Sequence, residues 1–363
     1  MPPQLALCEA LADAGHEVIG VVPTPDRERC ENICASVDTF EFAPTPPGLS
    51  DEELDQWLTV DNFLGATFAE ALRDAIRRHR PDRLLVDGMS YSALVEAQAS
   101  GIPHAALWHC LVDIAETRSN LQLLDSVDNL AAHNAHRISR GLGAVRSVQD
   151  NLCEADWFLA FAYAALDSPR QRTWPNLHYV GAAVPDTPLT NFDLPPGAAP
   201  LVVVGFSTTS LDQTAVLQRI FDGLAMLEVR VVANVKPEAR VELAVPDNVV
   251  AVEFVPHDEV LPEAALMVSH VGHGTMSAAA RHGVPILAVP MGRDQDRNAE
   301  ILTDIGIGSW LPPTATPSEI ANLATQLLNS CEVRLRSDAV AVEIAKQDRL
   351  HHAVELVTTA TTF

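Results

Sequence analysis

Short apolar runs alternate with longer amphipathic stretches along the chain, the signature of strands and helices taken in turn. Residues from Gln4 to Ala14 carry a helical period that stops at Gly15, a residue suited to a helix C-terminus. The run from His16 to Val22 predicts a buried strand. Asn62 to His79 predicts a second helix, with Arg77, Arg78 and His79 in the last turn where the helix dipole favours cations. Arg83 to Val86 is a short strand stopped by Asp87-Gly88, Ser92 to Ala99 a helix, Gly101-Ile102-Pro103 a turn, and Ala105 to Leu107 a further strand.

The stretch Pro185 to Pro200 has five prolines and little apolar period, which marks it as a linker. Beyond it the alternation restarts. Strands are predicted at Leu201–Val204, Val229–Val235, Val249–Phe254, Ala265–Ser269 and Ile286–Val289, with helices at Gln213–Leu227 and from about Met276 to His282. Short apolar strands between helices imply parallel sheets joined by right-handed crossovers. The predicted fold is α/β: two Rossmann-like domains facing a cleft, residues 1–190 and 191–345, with 346–363 as a C-terminal helix packing back towards the first domain.

Composition narrows the function classes. The 363 residues carry 24 Lys and Arg against 48 Asp and Glu, a net charge of −24, which argues against nucleic acid and anionic membrane surfaces as partners. No apolar run approaches the length that spans a bilayer, and no signal peptide is apparent. Six cysteines occur without a CxxC pair, which fits a reducing, cytoplasmic setting. His133 and His136 stand three residues apart, but chance spacing accounts for them better than a metal site. Neither a GxSxG elbow nor a GxGxxG fingerprint is present.

The candidate chemistry follows the strand ending at Ser269. His270, Gly272, His273, Gly274 and Thr275 lead into a helix, and the two glycines let the backbone approach a ligand. Unpaired N–H groups and the positive end of the helix dipole suit a phosphate there. A plain glycine-rich turn is the other reading, because short glycine motifs are common. After the next strand, Asp294 can accept from two sugar hydroxyls, and Gln295 can both donate and accept.

These residues resemble the inverting nucleotide-sugar glycosyltransferases of GT-B fold that decorate natural products, above all the actinobacterial branch acting on polyketides and other antibiotics. That family shows HGGxGT, a helix, GVP, a strand, then P…DQ…NA. The chain has His270-Val271-Gly272-His273-Gly274-Thr275, Gly283-Val284-Pro285, Asp294-Gln295 and Asn298-Ala299 in the same order. The resemblance implies a UDP- or dTDP-sugar donor, a lipophilic small-molecule acceptor, and no metal or other cofactor. It assigns the diphosphate to His270, Gly272, His273, Gly274 and Thr275, and the donor hexose to Asp294 and Gln295. Val255 and His257 would lie near the base, Ser207 and Thr208 beside the phosphates, and Trp108 and His109 in the acceptor pocket, where a packed core residue is the alternative. Residues 113–150 would form the acceptor-side helices. Two departures stand out: Ala278 occupies the position of a Glu that binds ribose, and Val271 replaces a glycine.

Glycosyl transfer with inversion needs a base for the acceptor hydroxyl. In the family this is a His in a GHxxP loop, oriented by an Asp that matches Asp87. Pro3 aligns with the family's Pro, which puts that His just before Met1. The expectation is that the first strand is missing and that the native protein starts upstream. A second reading, a non-catalytic nucleotide-sugar-binding or activator homologue, follows if it does not.

Overall fold

A computed structural model of the chain describes residues 2–42, 44–117, 123–167, 174–182, 192–206, 213–346 and 350–359. The chain divides into two compact units. One comprises Met1–Ala162, Pro169–Pro185 and Asp348–Phe363, the other Tyr163–Ser168 and Asp186–Gln347.

The first unit holds two parallel sheets. Strands β1 (Ile19–Pro23) and β2 (Ser36–Phe40) pair with each other, and β3 (Leu84–Asp87), β4 (His104–Trp108), β5 (Trp157–Ala160) and β6 (Leu177–Tyr179) pair in that order. Helix Pro2–Asp13 and helix Leu350–Thr358 cover one face of the larger sheet: Leu7, Leu11, Ala353 and Val357 join Leu107, Leu159 and Phe161 in one buried cluster. Arg83 Nε also donates to the Val357 carbonyl at 3.2 Å.

The helix predicted over Asn62–His79 is two helices, Asp51–Leu64 and Ala66–His79, broken at Gly65. Gly65 is extended (φ −62°, ψ 150°), and its carbonyl accepts from Ser92 Oγ at 2.7 Å. A side chain there would collide with the Asp61 carbonyl, so the break depends on glycine and on a partner distant in sequence. Between β4 and β5, helices Val112–Thr117 and Val127–Ser139 form. The second is anchored by the buried carboxylate of Glu96, which accepts from Arg73 at 2.9 and 3.0 Å and from His136 at 2.9 Å, and pairs with Arg140. Arg137, 1% exposed, donates to Asn151 and Glu154.

The second unit is one six-stranded parallel sheet. Its strands are β7 (Leu201–Gly205), β8 (Arg230–Asn234), β9 (Val249–Val252), β10 (Ala264–Ser269), β11 (Ile286–Ala288) and β12 (Gly308–Trp310), in the order β12-β11-β10-β7-β8-β9. The central strand β7 is buried on both faces, which is why it reads as an unbroken apolar run. Val202 and Val204 pack against Ile220 and Phe221 in the main core cluster of the unit. Each such side chain contributes about 1.5–3 kcal/mol by leaving water. Strands β2, β5, β6 and β12 are absent from the sequence reading. Of these, β2 and β12 are short and half polar, with no alternation to mark them. The linker stretch lies partly outside the described residues; 192–200 contain no helix or strand.

Candidate functional site

The chain leaves β7 for β8 and β9 on one side, then crosses to β10 on the other. The carboxyl ends of β7 and β10 are therefore the point where strand order reverses, the place where open α/β sheets bind ligands. Gly205 and Ser269 end these two strands and are register partners.

Sequence-distant residues converge on that point. A methyl group on Gly205 would lie 2.6 Å from Met267 Cε, 3.5 Å from Thr275 Cγ2 and 3.7 Å from His257 Nε2. The His270 ring hydrogen-bonds the Gly205 backbone and tilts against Phe206, with ring centroids 5.7 Å apart. Burial pushes the His270 imidazole pKa below its usual range; the Gly205 carbonyl and the charge of Asp294 oppose the shift. His270 Nδ1 is buried without a hydrogen-bond partner. Burial also lowers the His257 pKa, partly offset by Asp258.

The helix after β10 begins earlier than its apolar period suggests. Gly272 is the N-cap and the helix runs His273–Arg281, so His273, Gly274 and Thr275 form its first turn. Their N–H groups are among those that no helical carbonyl can satisfy. Gly274 is exposed with open space around its Cα, and Val271 before the cap is fully buried.

Two residues here hold a backbone conformation that non-glycine residues seldom adopt: Val271 at φ +54° and Arg293 at φ +63°. The only other described non-glycine of this kind is Arg80, at the end of helix Ala66–His79. A β-branched residue at positive φ persists only when its surroundings hold it. Val271 N–H donates to Ser269 Oγ at 2.7 Å, and its carbonyl accepts from Asn298 Nδ2 at 2.9 Å. Asn298 Nδ2 also donates to Asp294 Oδ2 at 3.0 Å. One buried amide therefore ties the loop after β10 to the loop after β11. Asn298 belongs to the sequence motif, but nothing in the motif indicates this tether.

Asp294 is the N-cap of helix Gln295–Asp304 and is half-buried. Gln295 is buried, and its Oε1 accepts from Met291 N–H at 2.8 Å, so its carbonyl oxygen shapes the loop. Val255 is buried beside the short helix His257–Val260, and Ala278 lies mid-helix, half-buried. Ser207 and Thr208 lie outside the described residues.

In the first unit, Asp87 ends β3 and His109 follows β4, which pairs with it. Trp108 departs from the sequence expectation of an acceptor contact. It is fully buried and its indole N–H donates to the Leu111 carbonyl at 2.9 Å, because β4 packs on both faces. No described helix is long and apolar enough to cross a membrane.

Comparison with known proteins agrees with this geometry. Residues 218–357 match the C-terminal domain of erythromycin biosynthesis protein CIII-like proteins. An oleandomycin glycosyltransferase from Streptomyces antibioticus is 30% identical, over 98% of this chain and 86% of its own. A solved calicheamicin glycosyltransferase superposes with a TM-score of 0.82 at 18% identity, covering 97% of this chain and 93% of that one. The glycosyltransferase VinC, solved with dTDP, gives 0.72 at 21% identity, covering 98% and 95%. A relative at that identity over nearly the whole chain, joined to the shared fold, establishes the family: the chain belongs to the actinobacterial natural-product glycosyltransferases of GT-B fold.

Proposed function

We propose that this glycosyltransferase moves a hexose or deoxyhexose from UDP or dTDP to a hydroxyl of a lipophilic natural product, with inversion and without a metal ion. The second unit takes the donor and the first takes the acceptor. The observation that carries the reading is the convergence at the strand-order reversal: His270 bonded to Gly205, with the helix His273–Arg281 opening beside it.

The diphosphate sits on the first-turn N–H groups of His273, Gly274 and Thr275, with His270 and the backbone of Gly272 at its side. Helix dipole and imidazole together stabilise the charge that develops on the departing nucleoside diphosphate. That is the task a bound cation performs in metal-dependent transferases. Asp294, with Gln295, accepts hydroxyls of the donor sugar, while Val255 and His257 border the nucleoside. Ser207 and Thr208 complete the phosphate contacts. Asp87 orients the base, and His109 meets the acceptor. Six free cysteines suit a reducing, cytoplasmic setting.

Titration calorimetry with dTDP and UDP tests the donor site. Binding of either nucleotide in the micromolar range, abolished or strongly weakened by His270→Ala, is the expected result. Failure of both to bind folded protein overturns the reading. With a turning-over acceptor, an unchanged rate in EDTA and an inverted anomeric coupling constant in the product complete the assignment.

A further inference from the structure

Three cysteines from separate segments gather beside β1. Cys8 lies on helix Pro2–Asp13, which Leu7 and Leu11 anchor in the buried cluster of the larger sheet. Cys30 lies on the short helix Arg27–Glu31, and Cys34 follows it in the turn that enters β2. Cys34 N–H donates to the Cys30 carbonyl and Ala35 N–H to the Val18 carbonyl, each at 2.8 Å, so this turn is pinned next to the start of β1. A methyl group on Gly20 of β1 would lie 3.3 Å from Cys34 Sγ and 3.7 Å from Cys30 Cβ. The thiols occupy the space that this glycine leaves. Cys30 and Cys34 are buried, whereas Cys8 is half-buried and gives a small molecule access to the group.

Within this group the Cys8 and Cys34 thiols hydrogen-bond to each other. The bond is unequal. It brings the Cys34 thiol down to about 7, against the opposing effect of burial. The same bond pushes the Cys8 thiol up, and burial and the Cys34 charge add to the rise. Burial and the Cys34 charge also raise Cys30. At neutral pH Cys34 therefore has a large thiolate fraction, while its partner keeps its proton. A thiolate in contact with a protonated thiol is the arrangement that closes a disulfide through a sulfenic acid. The other cysteines lie on other elements. Cys110 follows β4, Cys153 belongs to helix Asp150–Glu154, and the exposed Cys331 opens helix Cys331–Ala345 of the second unit.

We propose that Cys8 and Cys34 are a peroxide-sensitive dithiol that closes to an intramolecular disulfide, tying helix Pro2–Asp13 to the turn before β2. The Cys34 thiolate attacks one oxygen of hydrogen peroxide. The O–O bond breaks, hydroxide leaves and takes up a proton to become water, and Cys34 becomes a sulfenic acid. The Cys8 sulfur then attacks Cys34 Sγ, the S–O bond breaks, and the departing oxygen takes the Cys8 proton as a second water. The two thiols lose two electrons, and the peroxide is reduced to two waters. A small thiol reverses the reaction by exchange, so the pair stays open in a reducing setting and closes under oxidant. The tied helix also carries Gln4, whose Nε2 donates to Asp87 Oδ2 at 3.1 Å. The link thus restrains the element that reaches the end of β3.

The test uses the full chain, reduced and then treated at neutral pH with a small molar excess of hydrogen peroxide. After unfolding, N-ethylmaleimide blocks the remaining thiols. Trypsin then separates residues 1–27, which hold Cys8, from residues 30–73, which hold Cys30 and Cys34. Mass spectrometry should find these two peptides joined, with the label on Cys30, and dithiothreitol should part them. Cys30→Ser keeps the link. Cys8→Ser loses it and leaves Cys34 as a sulfenic acid that dimedone traps. The closing rate should rise with pH through about 7, as the Cys34 thiolate forms. Two results on the wild-type chain overturn the proposal. One is a link from residues 1–27 that leaves Cys34 labelled. The other is labelled thiols at both Cys8 and Cys34 after the exposed Cys331 has been oxidised completely.

Discussion

Gly272→Ala isolates the contribution of His270 without touching His270 itself. Gly272 sits at φ −57° and ψ 150°, a conformation that alanine adopts freely, so the backbone has no reason to change. The three atoms nearest the added methyl all belong to His270: it would lie 2.7 Å from Nε2, with ring carbons at 3.4 and 3.6 Å. Carbon and nitrogen in contact prefer separations of about 3.5–4 Å, so the ring must retreat by roughly 1 Å. Phe206 on the ring and the Gly205 backbone bond give it little room to do so while keeping its aim. The helix N–H groups stay where they are. The variant should therefore lose the His270 share of diphosphate binding, about 1.5–3 kcal/mol for a charge-assisted bond, or roughly 10–150-fold in Kd. Calorimetry with dTDP on wild type, Gly272→Ala, His270→Ala and the double variant measures it. The double variant should bind no more weakly than His270→Ala alone, because both changes remove the same contact. Wild-type affinity in Gly272→Ala, or fully additive losses, would refute the reasoning. A melting curve without ligand separates local displacement from general damage.

Three other outcomes follow from the same geometry. Val271→Gly relieves backbone strain of about 1–3 kcal/mol and loses burial of about 1.5–3 kcal/mol, whereas Val271→Ala loses much of the burial and keeps most of the strain; denaturant melts should therefore rank glycine as the more stable variant, the reverse of the usual order. Asn298→Ala removes the donor shared by the Val271 carbonyl and Asp294, so it should destabilise by about 1–3 kcal/mol and weaken sugar transfer more than dTDP binding, read by comparing melts, calorimetry and turnover. Burial, with the charges of Arg137 and His136, lowers the His133 pKa to about 4, and Asn151 donates to its Nε2. The unfolded state then binds the extra proton first, so stability is intact above about pH 6.5 and falls as pH drops towards 4, by on the order of 3 kcal/mol. His133→Gln should flatten denaturation midpoints across that window; an unchanged slope contradicts the assignment.

Alternating short apolar runs were sufficient to indicate an α/β chain with parallel strands, because β7, β10 and β11 are buried on both faces and show it as unbroken hydrophobic stretches. The segment His270–Thr275 stood out for a similar reason: glycines, a histidine and a helix start fall together in sequence, and the structure does begin a helix there at Gly272. Features made by residues far apart in sequence were not legible. The bridge from Asn298 to Val271 and Asp294 depends on two loops meeting, and the exclusion of Trp108 from any surface depends on what packs over β4. The break at Gly65 needed the Ser92 hydroxyl to donate to the Gly65 carbonyl. Nor did local spacing reveal that Gln4, Asp87 and His109 share one corner, because they are 83 and 105 residues apart along the chain and only the parallel pairing of β3 with β4 and the packing of the first helix bring them together. Local pattern records which face of an element avoids water; which faces then meet is decided by packing of the whole unit.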